Sequence, residues 1–158
     1  MFGVLLMSGP DECRRSEFDP LEISQTMLSS EGLGPSWGVE VRSASLGRVT
    51  IALRTVNEMT NGFGMVHGGV IFALADSAFA YAANSENELS VGQSATIEYI
   101  RPARIGEVLI ATAEMIADHG RSAVYRISVT NEEGEAVAVA QARSRRLGKP
   151  TLPMERPE

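Results

Sequence analysis

One stretch constrains this chain more than any other: residues 61–85, which read NGFGMVHGGVIFALADSAFAYAANS. The pattern predicts a glycine-rich loop that leads into one long helix without a polar face. A helix that is apolar all round is buried, either in a protein core or in a membrane. A membrane-spanning helix needs roughly 20 mostly apolar residues with few charges, whereas this run is shorter and contains Asp76. We therefore predict a buried core helix, and its many alanines allow a sheet to approach it closely.

Asp76 lies in the middle of that apolar run. Aspartate is almost never fully buried unless it is paired. Burial raises the pKa of a carboxyl group and strengthens its electrostatic interactions, which suits it to act as a base or a nucleophile. A structural aspartate that caps a nearby loop is the alternative. The surroundings of Asp76 favour the functional interpretation.

Gly68 and Gly69 open the same helix. Backbone N–H groups at a helix N-terminus attract negative charge, and glycine lets a ligand approach the backbone closely. The pair is therefore a candidate oxyanion site for a thioester or ester carbonyl. A tight turn that merely requires glycine is the simpler explanation, and on the glycine pair alone it is preferred.

The distance between Gly68 and Asp76 along the helix limits how the two residues can act together. Gly68 and Asp76 are eight residues apart, which corresponds to about 12 Å along a helix at ~1.5 Å per residue. Both cannot touch one reacting carbon from the same chain. Two-fold dimers are the commonest oligomers, and antiparallel helices in such a dimer would bring Asp76 of one chain near Gly68 of the other. We therefore predict paired active sites at a dimer interface.

Composition limits the possible partners. The chain has 158 residues and a formal net charge of -6, which indicates one domain and argues against a nucleic-acid partner. Its single cysteine, Cys13, cannot form an internal disulfide, and a reducing compartment fits this. The short apolar leader lacks the positive region of a signal peptide. We expect a cytoplasmic protein that is not bound to a membrane.

The rest of the chain reads as one helix followed by strands. An amphipathic helix is predicted within residues 18–30, and a hairpin precedes the loop at residue 57. Alternating apolar residues then predict strands at residues 90–99, 107–116, 122–130 and 135–147. The fold class is α+β, with an antiparallel sheet wrapped around one long central helix. The predicted divisions are residues 1–32 (N-terminal tail and short helix), 33–148 (main domain) and 149–158 (disordered, proline-rich tail).

These residues carry a resemblance to a known family. Asn61-Gly62, His67-Gly68-Gly69 and the string from Phe72 to Ser85 look like the hotdog-fold acyl-CoA thioesterases of the PaaI type, which are linked to phenylacetate degradation. The resemblance covers roughly residues 33–147, and Arg101-Pro102 after the first post-helix strand also fits it. It implies a hotdog fold, hydrolysis of an acyl-CoA to a free acid and CoA, no metal or cofactor, and dimers that pair into tetramers.

The resemblance also implies roles for individual residues. Asp76 acts as general base or nucleophile, and the Gly68 N–H of the other subunit polarises the thioester carbonyl. Asn61 orients the attacking water or the carboxylate, although a turn residue is an equal alternative. His67 lies beside the thioester, but a helix-capping role is slightly favoured for it. Ser94 falls where similar enzymes position a water.

Three further residues are predicted to bind substrate. Gly69 accompanies Gly68 at the helix start, and Phe72 would line the acyl pocket together with other aromatic residues. Arg101 is a candidate for the CoA phosphates, because guanidinium groups match phosphate oxygens. The expected acyl group is aryl-acetyl, with a medium-chain fatty acyl group as the alternative.

Two other functions remain open on the sequence. A hotdog hydratase or dehydratase would also act on acyl thioesters, but such enzymes typically lack Gly-Gly directly after the catalytic histidine. A non-catalytic acyl-CoA sensor would not need Asp76 and normally carries a DNA-binding segment, of which the acidic leader shows no sign.

Overall fold

The computed structural model describes residues 18–152. The predicted tail before residue 18 and the last six residues of the predicted C-terminal tail lie outside this range. Three α-helices and six strands follow one another along the described chain: α1 Pro20–Ser30, α2 Leu33–Trp37, β1 Glu40–Ser45, β2 Arg48–Arg54, α3 Gly68–Asn84, β3 Glu88–Tyr99, β4 Val108–His119, β5 Ser122–Thr130 and β6 Ala136–Pro150. A short 3-10 helix, Asn57–Met59, lies between β2 and α3.

The six strands form one antiparallel sheet in the order β1-β2-β4-β5-β6-β3. The long helix α3 packs on this sheet and buries Leu74, Ala78 and Phe79, which are at most 3% exposed. The ring of Phe79 meets that of Tyr125 edge-on, with centroids 5.3 Å apart. The predicted α+β architecture, a sheet around one long helix, is confirmed. No helix within residues 18–152 is long and apolar enough to cross a bilayer.

Helix α1 packs against this domain. Asp19 caps it by accepting the Leu21 N–H at 2.9 Å, and Pro20 occupies the first turn. Ile23 on its inner face is fully buried, because one amphipathic helix can bury its apolar stripe only against a neighbour. The sequence prediction divided the chain at residue 32, but α1 shares its core with the residues that follow.

The C-terminal end differs from the predicted disordered tail. Strand β6 continues to Pro150, and the next two residues are hydrogen-bonded to the end of α3 and the loop after it. The Thr151 hydroxyl donates to Asn84 Oδ1 at 2.7 Å, and the Leu152 N–H donates to Asn87 Oδ1 at 2.8 Å. The predicted start of the tail at Lys149 is therefore wrong, because side-chain amides far away in sequence hold this segment.

Strand β3 is the outermost strand on one side of the sheet. Its residues 91–96 are exposed, although the strand pairs with β6 along its whole length. A long exposed edge with unpaired backbone groups is a surface onto which another strand can add.

Candidate active site

The loop before α3 is shaped by Asn61. Its Oδ1 accepts the N–H groups of Phe63 at 2.9 Å and Met65 at 3.2 Å, and its own N–H donates to the Met65 carbonyl at 2.8 Å. The turn projects Phe63 outward, where it is 86% exposed. The side-chain carbonyl of Asn61 is thus committed to the loop, whereas its Nδ2 donates to no acceptor within residues 18–152. Only Nδ2 is left to orient a water or a carboxylate.

His67 is the N-cap of α3. Its Nδ1 accepts the Gly69 N–H at 2.8 Å. An imidazole nitrogen that accepts a hydrogen bond carries no proton, so the proton of neutral His67 lies on Nε2. A Cβ on Gly69 would lie 3.0 Å from this Nδ1, which explains the glycine at that position. His67 has the predicted capping role. The Gly69 N–H takes part in this cap and is therefore not available to a ligand.

The cap leaves one free donor in the first turn of α3. The N–H groups of Val70 and Ile71 both reach the His67 carbonyl, at 2.9 and 3.4 Å. With the Gly69 N–H also occupied, the Gly68 N–H is the donor of this turn that has no acceptor within residues 18–152. A free N–H at the positive end of a helix dipole can receive an oxyanion.

Asp76 does not lie in the buried position that the sequence predicted. It belongs to a line of exposed and partly exposed residues along α3, which we call the open stripe: Phe72, Ala73, Asp76, Ser77 and Ala80. The apolar pattern indicated burial on all sides, but the sheet of one chain covers only one side of the helix. Asp76 takes part in no hydrogen bond or ion pair within the described chain, and partial burial raises its pKa above the ordinary aspartate range.

The structure contradicts the role predicted for Ser94. Ser94 pairs with Arg143, whose neighbours Ala142 and Ser144 are buried, so Arg143 and Ser94 lie on the outer face of the sheet. Gly92, only two residues earlier, faces α3. The register shifts between Gly92 and Ser94. A bulge of one residue reverses which face the following side chains occupy, so Ser94 points away from Asp76.

Arg101 is held by carboxylates. It lies 3.3 Å from Glu107 and 3.3 Å from Glu135, and it also donates to the Pro102 carbonyl. Its side chain is 25% exposed. A phosphate would have to compete with both carboxylates for this guanidinium group, so its surroundings do not favour the predicted contact with CoA.

The structure adds one residue that the sequence interpretation missed. The Tyr99 hydroxyl donates to the Gly68 carbonyl at 3.0 Å. Tyr99 ends β3 and pairs with the buried Ala138, so its ring is directed to the helix side of the sheet. The only sequence signal was its position in the apolar alternation of this strand.

The predicted residues thus fall into separate groups. Asn61, His67, Gly68 and Gly69 lie together at the start of α3, and Asp76 lies two turns further along the same helix. Ser94 lies on the outer face of the sheet, away from both groups, and Arg101 is paired with Glu107 and Glu135. A free donor and an unpaired carboxylate about 12 Å apart on one helix cannot serve one reacting carbon within a single chain.

Comparison with known proteins identifies the family. The Thioesterase superfamily profile matches residues 63–138. Acyl-coenzyme A thioesterase PaaI of Escherichia coli K12 is 32% identical over 125 residues, which cover 79% of this chain and 89% of PaaI. The structure of E. coli PaaI, from the phenylacetic acid degradation operon, superposes with a TM-score of 0.80 at 30% identity, covering 83% of this chain and 95% of that one.

A second solved structure carries a ligand. A Streptococcus mutans protein bound to acetyl-CoA superposes with a TM-score of 0.69 at 26% identity, covering 72% of this chain and 91% of that one. The fold, the arrangement of groups at the start of α3 and the sequence similarity all indicate the same class of protein. This class is the thioester hydrolases with the hotdog fold. The chain belongs to the thioesterase superfamily and is of the PaaI type.

Proposed function

We propose that this chain hydrolyses acyl-CoA thioesters to a free acid and CoA, at two equivalent sites in a two-fold dimer. One observation carries the proposal: among residues 18–152, nothing accepts the Gly68 N–H and nothing pairs with the Asp76 carboxylate, and both groups lie on α3. The names of the relatives support the substrate class, since PaaI of E. coli is an acyl-coenzyme A thioesterase and the S. mutans protein binds acetyl-CoA.

The surface of the single chain supports the dimer. The open stripe places Phe72 and small apolar residues beside Asp76 on the uncovered side of α3. On the same chain, residues 91–96 of β3 form an unpaired and exposed strand edge. Exposed apolar surface and a free edge are the features that pairing with a second copy would cover. The proposal retains the dimer of dimers and the cytoplasmic location predicted from the sequence.

The proposed chemistry uses one group from each chain. The Asp76 carboxylate takes a proton from the water that attacks the thioester carbonyl carbon. The carbonyl oxygen becomes an oxyanion and accepts the N–H of Gly68 of the partner subunit. When this intermediate collapses, the C=O bond re-forms and the C–S bond breaks. CoA leaves as a thiolate and takes up the proton that Asp76 removed from the water, so that the free acid remains and the Asp76 carboxylate is restored. The raised pKa of Asp76 makes its carboxylate a stronger base than an ordinary aspartate.

For the acyl group we propose an aryl-acetyl group. Phe63 and Phe72 are both exposed, one at the tip of the loop and one on the open stripe. Aromatic side chains favour stacked or edge-to-face contacts with an aromatic ring. The link of E. coli PaaI to a phenylacetic acid degradation operon supports the same choice.

Thiol release is the test, followed with a disulfide dye for wild type and Asp76→Asn on one panel. The panel contains phenylacetyl-CoA, a medium-chain fatty acyl-CoA and an enoyl-CoA. We expect rapid turnover by wild type, fastest with phenylacetyl-CoA, and a loss of ~10²-fold or more in the variant, the range for loss of a general base. Absence of thiol release from every wild-type sample would overturn the proposal. Hydration of the enoyl-CoA would then indicate a hydratase, and binding without turnover would indicate a sensor.

A further inference from the structure

Glycine at position 68 lets a ligand approach the backbone closely, but it is also conformationally free, so the direction of its N–H has to be fixed by other contacts. Catalytic donors are effective when they are fixed before the reaction, so that no reorganisation is needed as charge develops. His67 holds the start of α3 from the preceding side through the Gly69 N–H. A second contact is needed to hold the Gly68 residue itself.

Tyr99 supplies that contact. Its hydroxyl donates to the Gly68 carbonyl at 3.0 Å. Its ring lies against the same residue, since a Cβ on Gly68 would come within 3.3 Å of Tyr99 Cζ and 3.4 Å of the hydroxyl oxygen. The ring therefore occupies the face of Gly68 where a side chain would stand. The two residues are 31 positions apart and join the end of β3 to the start of α3.

The contact is not explained by core packing. Tyr99 is 51% exposed, whereas the other two tyrosines, Tyr81 and Tyr125, are at most 2% exposed. Its side chain therefore buries less apolar area than theirs and gains less from burial. Its hydroxyl makes a hydrogen bond to Gly68, and its ring lies close to the same residue.

We propose that Tyr99 is a positioning residue for hydrolysis, which fixes Gly68 so that its N–H points at the developing oxyanion. This inference rests on the proposed function. Tyr99 acts through Gly68 and does not take part in proton transfer. Its effect should therefore appear in the transition state, as a lower kcat, and not in substrate binding.

The test compares Tyr99→Phe with wild type on the acyl-CoA of the panel that wild type hydrolyses fastest. The substitution keeps the ring and removes the hydroxyl. We expect kcat to fall by roughly 10-fold with KM almost unchanged, a smaller loss than the ~10²–10³-fold that follows removal of an oxyanion donor. Tyr125→Phe is the matched control, because its hydroxyl donates to the sulfur of Met115 and not to Gly68. Its kcat should stay at the wild-type value.

A double-mutant cycle tests whether Tyr99 acts through Gly68. Gly68→Ala places a methyl group against the Tyr99 ring, and Tyr99→Leu removes that ring. If the two residues act as one unit, the double variant loses less activity than the product of the two single losses. Circular dichroism establishes that each variant is folded, and Tyr99→Phe decides the question alone if Tyr99→Leu is not.

The outcomes separate this inference from the function on which it rests. An active wild type with an equally active Tyr99→Phe would overturn the positioning role and leave the thioesterase proposal intact. A rise in KM with unchanged kcat would overturn it too, and would make Tyr99 a substrate-binding residue. Independent losses in the double-mutant cycle would contradict action through Gly68. An inactive wild type would instead be the failure of the proposed function.

Discussion

Nδ1 of His67 accepts the Gly69 N–H at 2.8 Å, and this contact determines what the start of α3 can do. Glycine at position 69 leaves room for it, because a Cβ there would lie 3.0 Å from the same nitrogen and the imidazole would have to shift. It also occupies the N–H next to that of Gly68. The sequence His67-Gly68-Gly69 thus combines a helix cap with one uncommitted donor.

The first prediction distinguishes a capping role of His67 from a direct role of its imidazole in the reaction. Asparagine is among the best N-cap residues, and its Oδ1 can stand where Nδ1 of His67 accepts. We expect His67→Asn to keep both stability and kcat near the wild-type values. His67→Ala should lower the free energy of unfolding by about 1 kcal/mol and reduce kcat, because the helix start that holds Gly68 loosens. Urea denaturation and thiol release measure the two effects. A stable but inactive His67→Asn would place the imidazole in the reaction.

The second prediction isolates the Gly68 N–H. Proline is favoured at the first position of a helix, where its missing N–H is not needed. His67 already has the extended backbone that a residue before proline requires, with φ -63 and ψ 134. We expect Gly68→Pro to fold and to lose ~10²–10³-fold in kcat, as for loss of an oxyanion donor. Gly68→Ala is the control, since it adds a Cβ near Tyr99 but keeps the N–H. If both variants lose the same activity, crowding and not the donor is responsible.

The third prediction concerns the two-chain site. A mixed dimer contains one Asp76→Asn chain and one Gly68→Pro chain. One of its two sites combines Asp76 of the second chain with Gly68 of the first, so both residues are intact there. The other site contains both substitutions. Co-expression of the two chains should therefore restore about a quarter of the wild-type activity, since about half of randomly assorted two-fold dimers are mixed. Each variant alone should remain inactive, and differently tagged chains allow the mixed dimer to be purified. A site built within one chain would give no recovery at all.

Much of this arrangement could be predicted from the sequence. The apolar run predicted α3, and the alternating residues predicted the strands. The residues around Asp76 and Gly68 indicated a functional role for both. The exposure of Asp76 could not be predicted, because an apolar pattern does not show which side of a helix a sheet leaves uncovered.

Long-range contacts account for the other differences. The family resemblance pointed to Ser94, but a bulge just before it turns its side chain to the outer face of the sheet, without a clear change in the sequence pattern. The contact of Tyr99 with Gly68 spans 31 residues, and the hydrogen bond from Thr151 to Asn84 spans 67. Neither separation leaves a local signal.

The fourth prediction follows from the raised pKa of Asp76. Because the folded-state pKa lies above the unfolded value, ionisation of Asp76 opposes folding, and wild type loses stability as pH rises through the folded-state pKa. Asp76→Asn lacks this loss. The free energy of unfolding of Asp76→Asn should therefore exceed that of wild type at pH 7 to 8. The difference should be smaller below about pH 4, the ordinary pKa range of aspartate. The acid limb of the wild-type kcat/KM profile should also lie above that range. A stability difference independent of pH would contradict the shift.

The last prediction concerns the contact between α1 and α3. The pKa of Tyr81 is raised, mainly by burial and next by the hydrogen bond to Glu31. The phenol therefore stays protonated, and it donates to Glu31 at 2.7 Å. The same carboxylate accepts the Gly34 N–H at 3.1 Å. Glu31 thus connects the segment after α1 to a fully buried residue on the helix that carries Asp76.

We expect Tyr81→Phe to lower the free energy of unfolding by about 1.5–3 kcal/mol, the range for a hydrogen bond to a charged group. The ring still fills its place in the core, so the loss reports the hydroxyl alone. Tyr125→Phe removes a hydroxyl that donates to the Met115 sulfur at 3.7 Å and not to a carboxylate, so it should lose clearly less in the same urea titration. Because the hydroxyl also holds α1 to α3, amide hydrogens of residues 20–30 should exchange faster in Tyr81→Phe than in Tyr125→Phe. Equal exchange in the two variants would mean that Ile23 and its apolar neighbours, and not Glu31, keep α1 in place.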